Sequence, residues 1–238
     1  MPRTKIEWCD FSINPIKGLC PVACSFCYAR RMYKRFKWDE TIRFDESVLM
    51  GLPKEPKRIF VGSTMELFGK WVKPNWMEFI LQTVNLYPQH TFIFLTKRPY
   101  NLPHKFPDNC WVGVSVTNHK QYLEAIMELG WNNAKVKFLS FEPLLSDCHV
   151  SAKDFENAGL SWVIVGQQTP TNKITQPQLN WVMEIVQESD KQGISVFLKD
   201  NLLPMLTKWG ETNSCGKAET MVLNTLYDGD KLRQEFPK

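Results

Sequence analysis

The chain has 238 residues, of which 43% are hydrophobic and 23% are charged, and its formal net charge is +4. This composition is typical of a soluble globular protein with a substantial core, and it excludes a disordered or low-complexity chain. The net charge alone is too small to indicate nucleic-acid binding, which usually shows as a concentrated basic face.

Apolar runs in this sequence have the length of strands. Examples are FIFL at 92–95 and WVIV at 162–165, far shorter than the roughly 20 residues that a membrane span needs. The first residues, MPRTKIEWCDF, carry charges of both signs and lack the apolar centre of a secretory signal. We therefore expect a cytoplasmic protein without a membrane partner.

Strand-like runs alternate with helical spacers along the chain. A first strand is predicted within FSINPIKG (11–18), and six more in RIFVGS (58–63), TFIFLT (91–96), CWVGVSV (110–116), VKFLSF (136–141), SWVIVG (161–166) and ISVFLK (194–199). These runs are nearly continuous in apolar residues, as in parallel strands covered on both faces. Helices are predicted at 75–87 and at 179–193, where Gly193 ends the second.

This alternation predicts an α/β fold, a partial (β/α) TIM-like barrel of about six to seven parallel strands. The barrel is expected to span residues 1–200, including a cysteine-bearing loop at 18–31. Residues 201–238, which show weak periodicity, are expected to form a C-terminal extension that packs on the barrel.

Polar residues follow each predicted strand, at the end where such folds gather their chemistry. They are Ser63, Thr64 and Glu66 after the second strand, Thr96, Lys97 and Arg98 after the third, Ser115 and Thr117 after the fourth, Glu142 after the fifth, Gln167 and Gln168 after the sixth, and Lys199 and Asp200 after the seventh. An acid such as Glu142 at the end of an apolar strand is costly without a partner. Glu142, Lys97 and Lys199 are therefore the candidate catalytic side chains.

Three of the seven cysteines lie close together, as Cys20, Cys24 and Cys27 in a C-x3-C-x2-C spacing. In a reducing compartment, clustered thiols are more often metal ligands or catalysts than disulfides. Three thiolates around a 4Fe-4S cluster would leave one iron open. The alternative is a structural zinc site with Cys9 as fourth ligand, although zinc motifs normally come as two separated pairs. Cys110 and Cys148 are predicted to be buried apolar residues, and Cys215 receives no role.

The stretch CPVACSFC, with Phe26 as the aromatic, resembles the C-x3-C-x-aromatic-C motif of the radical S-adenosylmethionine (SAM) superfamily. Further segments are similar to an uncharacterised, phage-associated group within that superfamily, over most of residues 4–200. They are TKIEWCDFSINPI, CYARRM, IFVGSTMELFG, FIFLTKRP, WVGVSV, FLSFEPLL and WVIVG.

The resemblance implies that Cys20, Cys24 and Cys27 bind a 4Fe-4S cluster, whose free iron holds SAM. It further implies reductive cleavage of SAM to a 5'-deoxyadenosyl radical, which abstracts hydrogen from an unknown substrate, with flavodoxin or ferredoxin as the electron donor. By position, the resemblance places Phe26 near the adenine, Ser63, Thr64 and Glu66 near the amino group of SAM, and Ser115 and Glu142 near its ribose or the substrate. Gln167 is a further cofactor-binding candidate.

The sequence departs from the group at three places. Leu19 stands where the group often has Gly before the first cysteine, and Gly-Gln-Gln at 166–168 stands where it often has Gly-Gly-Glu. Glu66 occupies a position where Asp is expected, so the charge is kept and the reach grows by one methylene.

A basic run, RRMYKRFK, follows the cysteines and holds Arg30, Arg31, Lys34, Arg35 and Lys37. It is interpreted either as a solvated helix face or as a docking patch for an acidic electron donor or a nucleic-acid backbone. Two substrate classes stay open, nucleic acid or nucleotide on one side and peptide or small metabolite on the other. The alternative function, for a protein that is not an enzyme, is a zinc-stabilised nucleic-acid-binding module without catalysis.

Overall fold

The computed structural model describes residues 4–206 and 224–237, and the chain divides into two compact units. The first unit is the described part of Met1–Val114 with Asn132–Lys135, and the second is Ser115–Trp131 with the described part of Val136–Lys238. Cys215 and the segment KWGETNSCGKAE lie outside the described residues.

The first unit is built on parallel strands. In chain order its elements are β1 (Phe11–Ile13), β2 (Ile16–Lys17), α1 (Tyr28–Phe36), β3 (Arg43–Phe44), β4 (Arg58–Val61), α2 (Pro74–Asn85), β5 (Thr91–Thr96) and β6 (Cys110–Ser115), whose last residue belongs to the second unit. β4 pairs in parallel with β1 and β5, and β5 pairs in parallel with β6. The consecutive residues Phe92, Ile93 and Phe94 are all fully buried, which requires that both faces of β5 are covered.

The second unit repeats the same pattern. Its elements are α3 (His119–Trp131), β7 (Val136–Phe141), α4 (Ala152–Ala158), β8 (Trp162–Val165), α5 (Leu179–Lys191), β9 (Ser195–Leu198), β10 (Tyr227–Asp228) and β11 (Lys231–Leu232). β8 pairs in parallel with β7 and β9, and all four residues of β8 are buried. Its Trp162 meets Phe197 edge-on, with ring centroids 6.1 Å apart.

The predicted mixed α/β architecture is confirmed, and the strands predicted at 91–96 and 136–141 have those bounds. The strand predicted at 58–63 ends earlier, at Val61, because Gly62 adopts a positive φ of 85° and turns the chain. The second predicted helix likewise ends at Lys191, and Gly193 follows it with φ 63°. The short antiparallel pair β2–β3 was not predicted. Among the described helices, none combines the length and the apolar character that a membrane crossing needs.

The described end of the chain lies along β9 in the second unit. The backbone N–H of Leu198 donates to the carbonyl of Arg233 at 2.7 Å, and Phe197 bridges Gln234 in antiparallel fashion. The Arg233 guanidinium pairs with Asp190 on α5 and with Glu235, at 2.9 and 3.2 Å. This segment therefore covers the edge of β9, which would otherwise present unpaired backbone groups.

We expect Arg233→Ala to lower the free energy of unfolding by about 1–3 kcal/mol, because its partly buried, charge-assisted hydrogen bonds are lost. Hydrogen exchange at the Leu198 amide should accelerate, because that amide donates to the Arg233 carbonyl. Arg43→Ala is the matched control, since its ion pair with Asp39 is exposed and should be worth less than about 1 kcal/mol. Equal losses in the two variants, in urea denaturation, would contradict the anchoring role of Arg233.

Candidate functional site at the cluster loop and the strand ends

The cluster loop, residues 18–31, is fixed at its beginning by a close backbone approach. Gly18 has a φ of 114°, and a Cβ added there would lie 2.7 Å from the Cα of Ile42, so the position requires glycine. The Gly18 N–H donates to the Tyr33 hydroxyl at 2.9 Å, and the Leu19 N–H donates to the Glu40 carbonyl at 2.9 Å. The segment that leads to Cys20 is thereby held against α1 and residues 40–42.

The other end of the loop is fixed by α1 itself. Cys27 is the N-cap of α1, and its Sγ accepts a hydrogen bond from the Arg30 N–H at 3.4 Å. The Cys27 N–H donates to the Cys24 carbonyl at 3.1 Å, and the Arg30 guanidinium donates to the Cys20 carbonyl at 2.7 Å. Arg30 therefore ties the loop together, whereas Arg31, Lys34, Arg35 and Lys37 of the basic run are exposed.

The three thiols share one electrostatic neighbourhood. Burial raises the pKa of the Cys24 thiol, the ammonium of Lys97 lowers it, and the charges of Cys27 and Cys20 raise it further. The Lys97 ammonium also lies 5.9 Å from the centroid of the Phe26 ring, within cation–π range. Lys97, which follows β5, is thus brought to the cluster loop.

The residues of the loop fit an iron–sulfur cluster by the chemistry of their donors, since thiolates are its usual ligands. Within residues 4–206 and 224–237, no group of three or more His, Cys, Asp or Glu side chains is already arranged as metal ligands. A metal bound at this loop therefore has to draw the sulfurs of Cys20, Cys24 and Cys27 towards one point.

Asn14, which sequence reasoning missed, organises the residues after β4. Its side-chain oxygen accepts hydrogen bonds from the Ser63 hydroxyl at 3.2 Å and from the Thr64 hydroxyl and N–H, both at 3.0 Å. The Tyr28 hydroxyl at the start of α1 donates to the Ser63 carbonyl at 2.7 Å. The available signal was a polar residue directly after β1 and before Pro15. Ser63 and Thr64 are thereby fixed between β1 and the cluster loop.

Glu66 is buried, with 7% of its surface exposed, and its carboxylate is fully engaged. One oxygen accepts from the Phe68 N–H at 3.0 Å and from the Thr96 hydroxyl at 2.7 Å, and the other accepts from the Lys97 N–H at 2.7 Å. These bonds fasten the loop after β4 to the end of β5, so Glu66 has a positioning role. A contact between Glu66 and a cofactor stays a prediction.

In the second unit, the ends of β7, β8 and β9 form a polar cluster of their own. Lys199 and Glu142 form an ion pair in which their side chains are only 14% and 25% exposed. A Cβ added at Gly166 would lie 3.0 Å from Cδ of Lys199 and 3.5 Å from Cδ of Glu142. A side chain at position 166 would therefore press on the Lys199 side chain, which would have to shift by a few tenths of an ångström.

Gln167 continues the same cluster and is paired with Asn201, a second residue that sequence reasoning missed. The Gln167 N–H donates to the Asn201 side-chain oxygen at 3.2 Å, and the Asn201 amide donates to the Gln167 carbonyl at 2.7 Å. Ser115, also predicted, is buried at the end of β6. Asn201 follows Lys199 closely in sequence, which was the only available signal.

The structure thus separates the predicted residues by unit. The first unit holds Cys20, Cys24, Cys27, Phe26, Ser63, Thr64, Glu66 and Lys97, and the second holds Ser115, Glu142, Gln167 and Lys199. In the first unit these residues are linked through Tyr28, Lys97 and Glu66; in the second, Glu142 and Lys199 are linked directly, beside Gly166.

We expect Glu66→Gln to lower the free energy of unfolding by about 1–3 kcal/mol, because an amide NH2 then faces donors that need an acceptor. Glu78→Gln is the matched control, since Glu78 is exposed on α2 and accepts from Gln82. Urea denaturation of both variants measures the difference. An unchanged stability in Glu66→Gln would show that the carboxylate does not fix the strand ends.

The cysteines should divide by reactivity. Burial raises the pKa of Cys110 and of Cys148 to about 12, so at pH 8 only about one in ten thousand of these thiols is ionised and reactive. In the native protein, iodoacetamide should therefore label the partly exposed Cys20, Cys24 and Cys27 first. In urea it should label all described cysteines at similar rates. Peptide mass spectrometry measures both patterns. Equal labelling rates in the native protein would contradict this division.

Comparison with known proteins adds the family and nothing further. No curated protein and no solved structure matches the chain. One family model, described as "Protein of unknown function (DUF5131)", matches residues 3–235. Since that match covers nearly the whole length, the chain belongs to the DUF5131 family.

Proposed function

We propose that the protein is a radical SAM enzyme whose cluster loop binds a 4Fe-4S cluster through Cys20, Cys24 and Cys27. The observation that carries this proposal is the setting of the three thiols, on a loop that Gly18 and Arg30 fix beside the polar ends of β4 and β5. Three cysteine ligands leave one iron with an open position, which in the proposal receives SAM.

The charged residues in and around the cluster loop favour ionised cysteines as metal ligands. From Gly18 to Trp38 the sequence contains no Asp or Glu. Burial raises the pKa of the Cys24 thiol, and the Lys97 ammonium acts against that shift. Thiolates must form before they bind a metal, so cations that favour ionised cysteine favour assembly of the site. Lys97 is in this proposal a residue that stabilises the site's negative charge.

When bound, the cluster would supply one electron, taken from a low-potential donor such as flavodoxin or ferredoxin, to cleave SAM into methionine and a 5'-deoxyadenosyl radical. The chain's own part is to orient and to exclude water. Phe26 offers an apolar ring within the loop, and Asn14 holds the Ser63 and Thr64 hydroxyls in place.

The second unit, taken by itself, carries the polar cluster that we consider for acid–base chemistry in this proposal. The Glu142–Lys199 pair leaves each charge partly exposed, so either group can hydrogen-bond a polar substrate or move a proton. Gln167 is held by Asn201 next to this pair. The partial TIM-like barrel and a cytoplasmic location belong to the same proposal, and the substrate class it favours is a nucleic acid or nucleotide.

The proposal is tested by anaerobic reconstitution with iron and sulfide, reduction in the presence of SAM, and chromatography for 5'-deoxyadenosine. We expect product with the unaltered protein and none with Cys24→Ala, because a cluster short of one thiolate is not held. Cys9→Ala is the control, since Cys9 lies outside the cluster loop and is buried. It should keep both iron and product.

The zinc alternative predicts the opposite pattern. Tightly held zinc without acid-labile sulfide, lost from Cys9→Ala as well as from Cys24→Ala, would overturn the cluster in favour of a four-cysteine zinc site. A reconstituted cluster that yields no 5'-deoxyadenosine under any reductant would overturn the enzymatic proposal.

A further inference from the structure

The end of α1 and the residues after it form an exposed surface that combines cations with flat rings. We call Lys34, Arg35, Phe36, Lys37 and Trp38 the cationic–aromatic surface; all five are exposed. Lys34 and Arg35 lie in the last turn of α1, and Lys37 caps it in the left-handed conformation, with φ 50°. Cations at a helix C-terminus stabilise the helix, but that role does not account for two exposed aromatic rings.

The two rings are ordered relative to each other. Phe36 and Trp38 are 51% and 43% exposed, and they stack with centroids 5.5 Å apart and planes inclined by 22°. The ring of the buried Tyr33 meets the Trp38 ring edge-on, with centroids 5.3 Å apart, and the backbone N–H of Trp38 donates to the Tyr33 carbonyl at 3.3 Å. Trp38 is therefore held in place by Tyr33 and Phe36, while 43% of its surface stays exposed to solvent and leaves apolar area available to a ligand.

The charges of this surface have one sign. The Arg35 guanidinium lies 5.3 Å from the centroid of the Phe36 ring. In sequence, Lys34 precedes both rings and Lys37 lies between them. Two exposed acids follow, Asp39 and Glu40, and the Asp39 carboxylate is engaged with Arg43 at 2.7 Å and with the Thr41 N–H at 2.9 Å. The surface is thus complementary to a polyanion that also presents flat apolar faces.

We propose that the cationic–aromatic surface binds single-stranded nucleic acid, with Lys34, Arg35 and Lys37 against phosphates and with bases stacked on Phe36 and Trp38. Proteins that bind single strands combine a positive surface with aromatic side chains on which successive bases stack. An acidic protein would satisfy the cations but has no use for the rings, and a duplex hides the faces of its bases. Binding at this surface needs neither cluster nor SAM, so its failure and that of the proposed function are distinguishable.

Fluorescence anisotropy with a 5'-fluorescein-labelled oligothymidylate of about 20 nucleotides tests the proposal. The full-length protein should bind the single strand more tightly than a duplex of the same length. Trp38→Ala should weaken binding by about 5- to 150-fold, the range measured for loss of one stacking ring, and Trp38→Phe should restore most of it. Phe36→Ala, at the more exposed ring, provides a second variant should Trp38→Ala unfold.

The charges are tested through the salt dependence of the same binding. Each phosphate neutralised on a single strand contributes a slope of about −0.7 in a plot of log K against log salt, so the Lys34→Gln/Arg35→Gln double variant should flatten the slope by about 1.4. Two controls are matched in chemistry. Trp131→Ala removes a tryptophan that is 75% exposed on α3, and Lys105→Gln/Lys120→Gln removes two other exposed cations; both should bind as the unaltered protein does.

Three results would each overturn the proposal. They are equal affinity for the duplex, unchanged binding in both Trp38→Ala and Phe36→Ala, and competition by polyglutamate as effective as competition by unlabelled oligonucleotide. The last would identify the surface as a dock for acidic proteins.

Discussion

Parallel strand pairing is the constraint from which the arrangement of both units follows. In a parallel sheet every strand enters from the same side, so the residues that follow neighbouring strands emerge along one edge. In the first unit this places Asn14, Ser63 and Lys97 after β1, β4 and β5, and in the second it places Glu142 and Lys199 after β7 and β9. Strands such as β5 and β8 are covered on both faces, so most of the polar contacts described above lie where the strands end.

Polar groups at these ends hold one another, because a buried donor or acceptor without a partner is costly. The Glu66 carboxylate accepts a hydrogen bond at the end of β5, and the Asn14 amide oxygen accepts hydrogen bonds from Ser63 and Thr64. In the second unit Gln167 and Asn201 exchange hydrogen bonds beside the Glu142–Lys199 pair. The strands and these hydrogen bonds therefore fix the positions of the loops, and a site with defined geometry needs such fixed supports.

The two ends of α1, the helix that follows the cysteines, have different roles. Arg30 reaches back to the Cys20 carbonyl and, with Cys27 as N-cap, fixes the cluster loop. The residues at the other end of the helix point their charges to solvent beside the stacked rings of Phe36 and Trp38. A run that reads in sequence as one basic stretch thus divides into a structural residue near the thiols and an exposed surface one helix length away. The proposed metal chemistry and the proposed nucleic-acid binding rest on different parts of it.

The parallel α/β architecture and the burial of Cys110 and Cys148 could be predicted from local patterns, and the cysteine spacing is read directly from the chain, since continuous apolar runs and short motifs are local properties. The sequence also indicated the strand-end polar residues as candidates. The hydrogen-bond and ion-pair partners of these residues became visible only in the folded chain. Asn14 meets Thr64 across 50 positions, and Lys199 meets Glu142 across 57, and such pairings depend on which strands become neighbours. The physical reason is that a hydrogen bond is set by distance in space, and no local pattern encodes which distant loops arrive at the same edge.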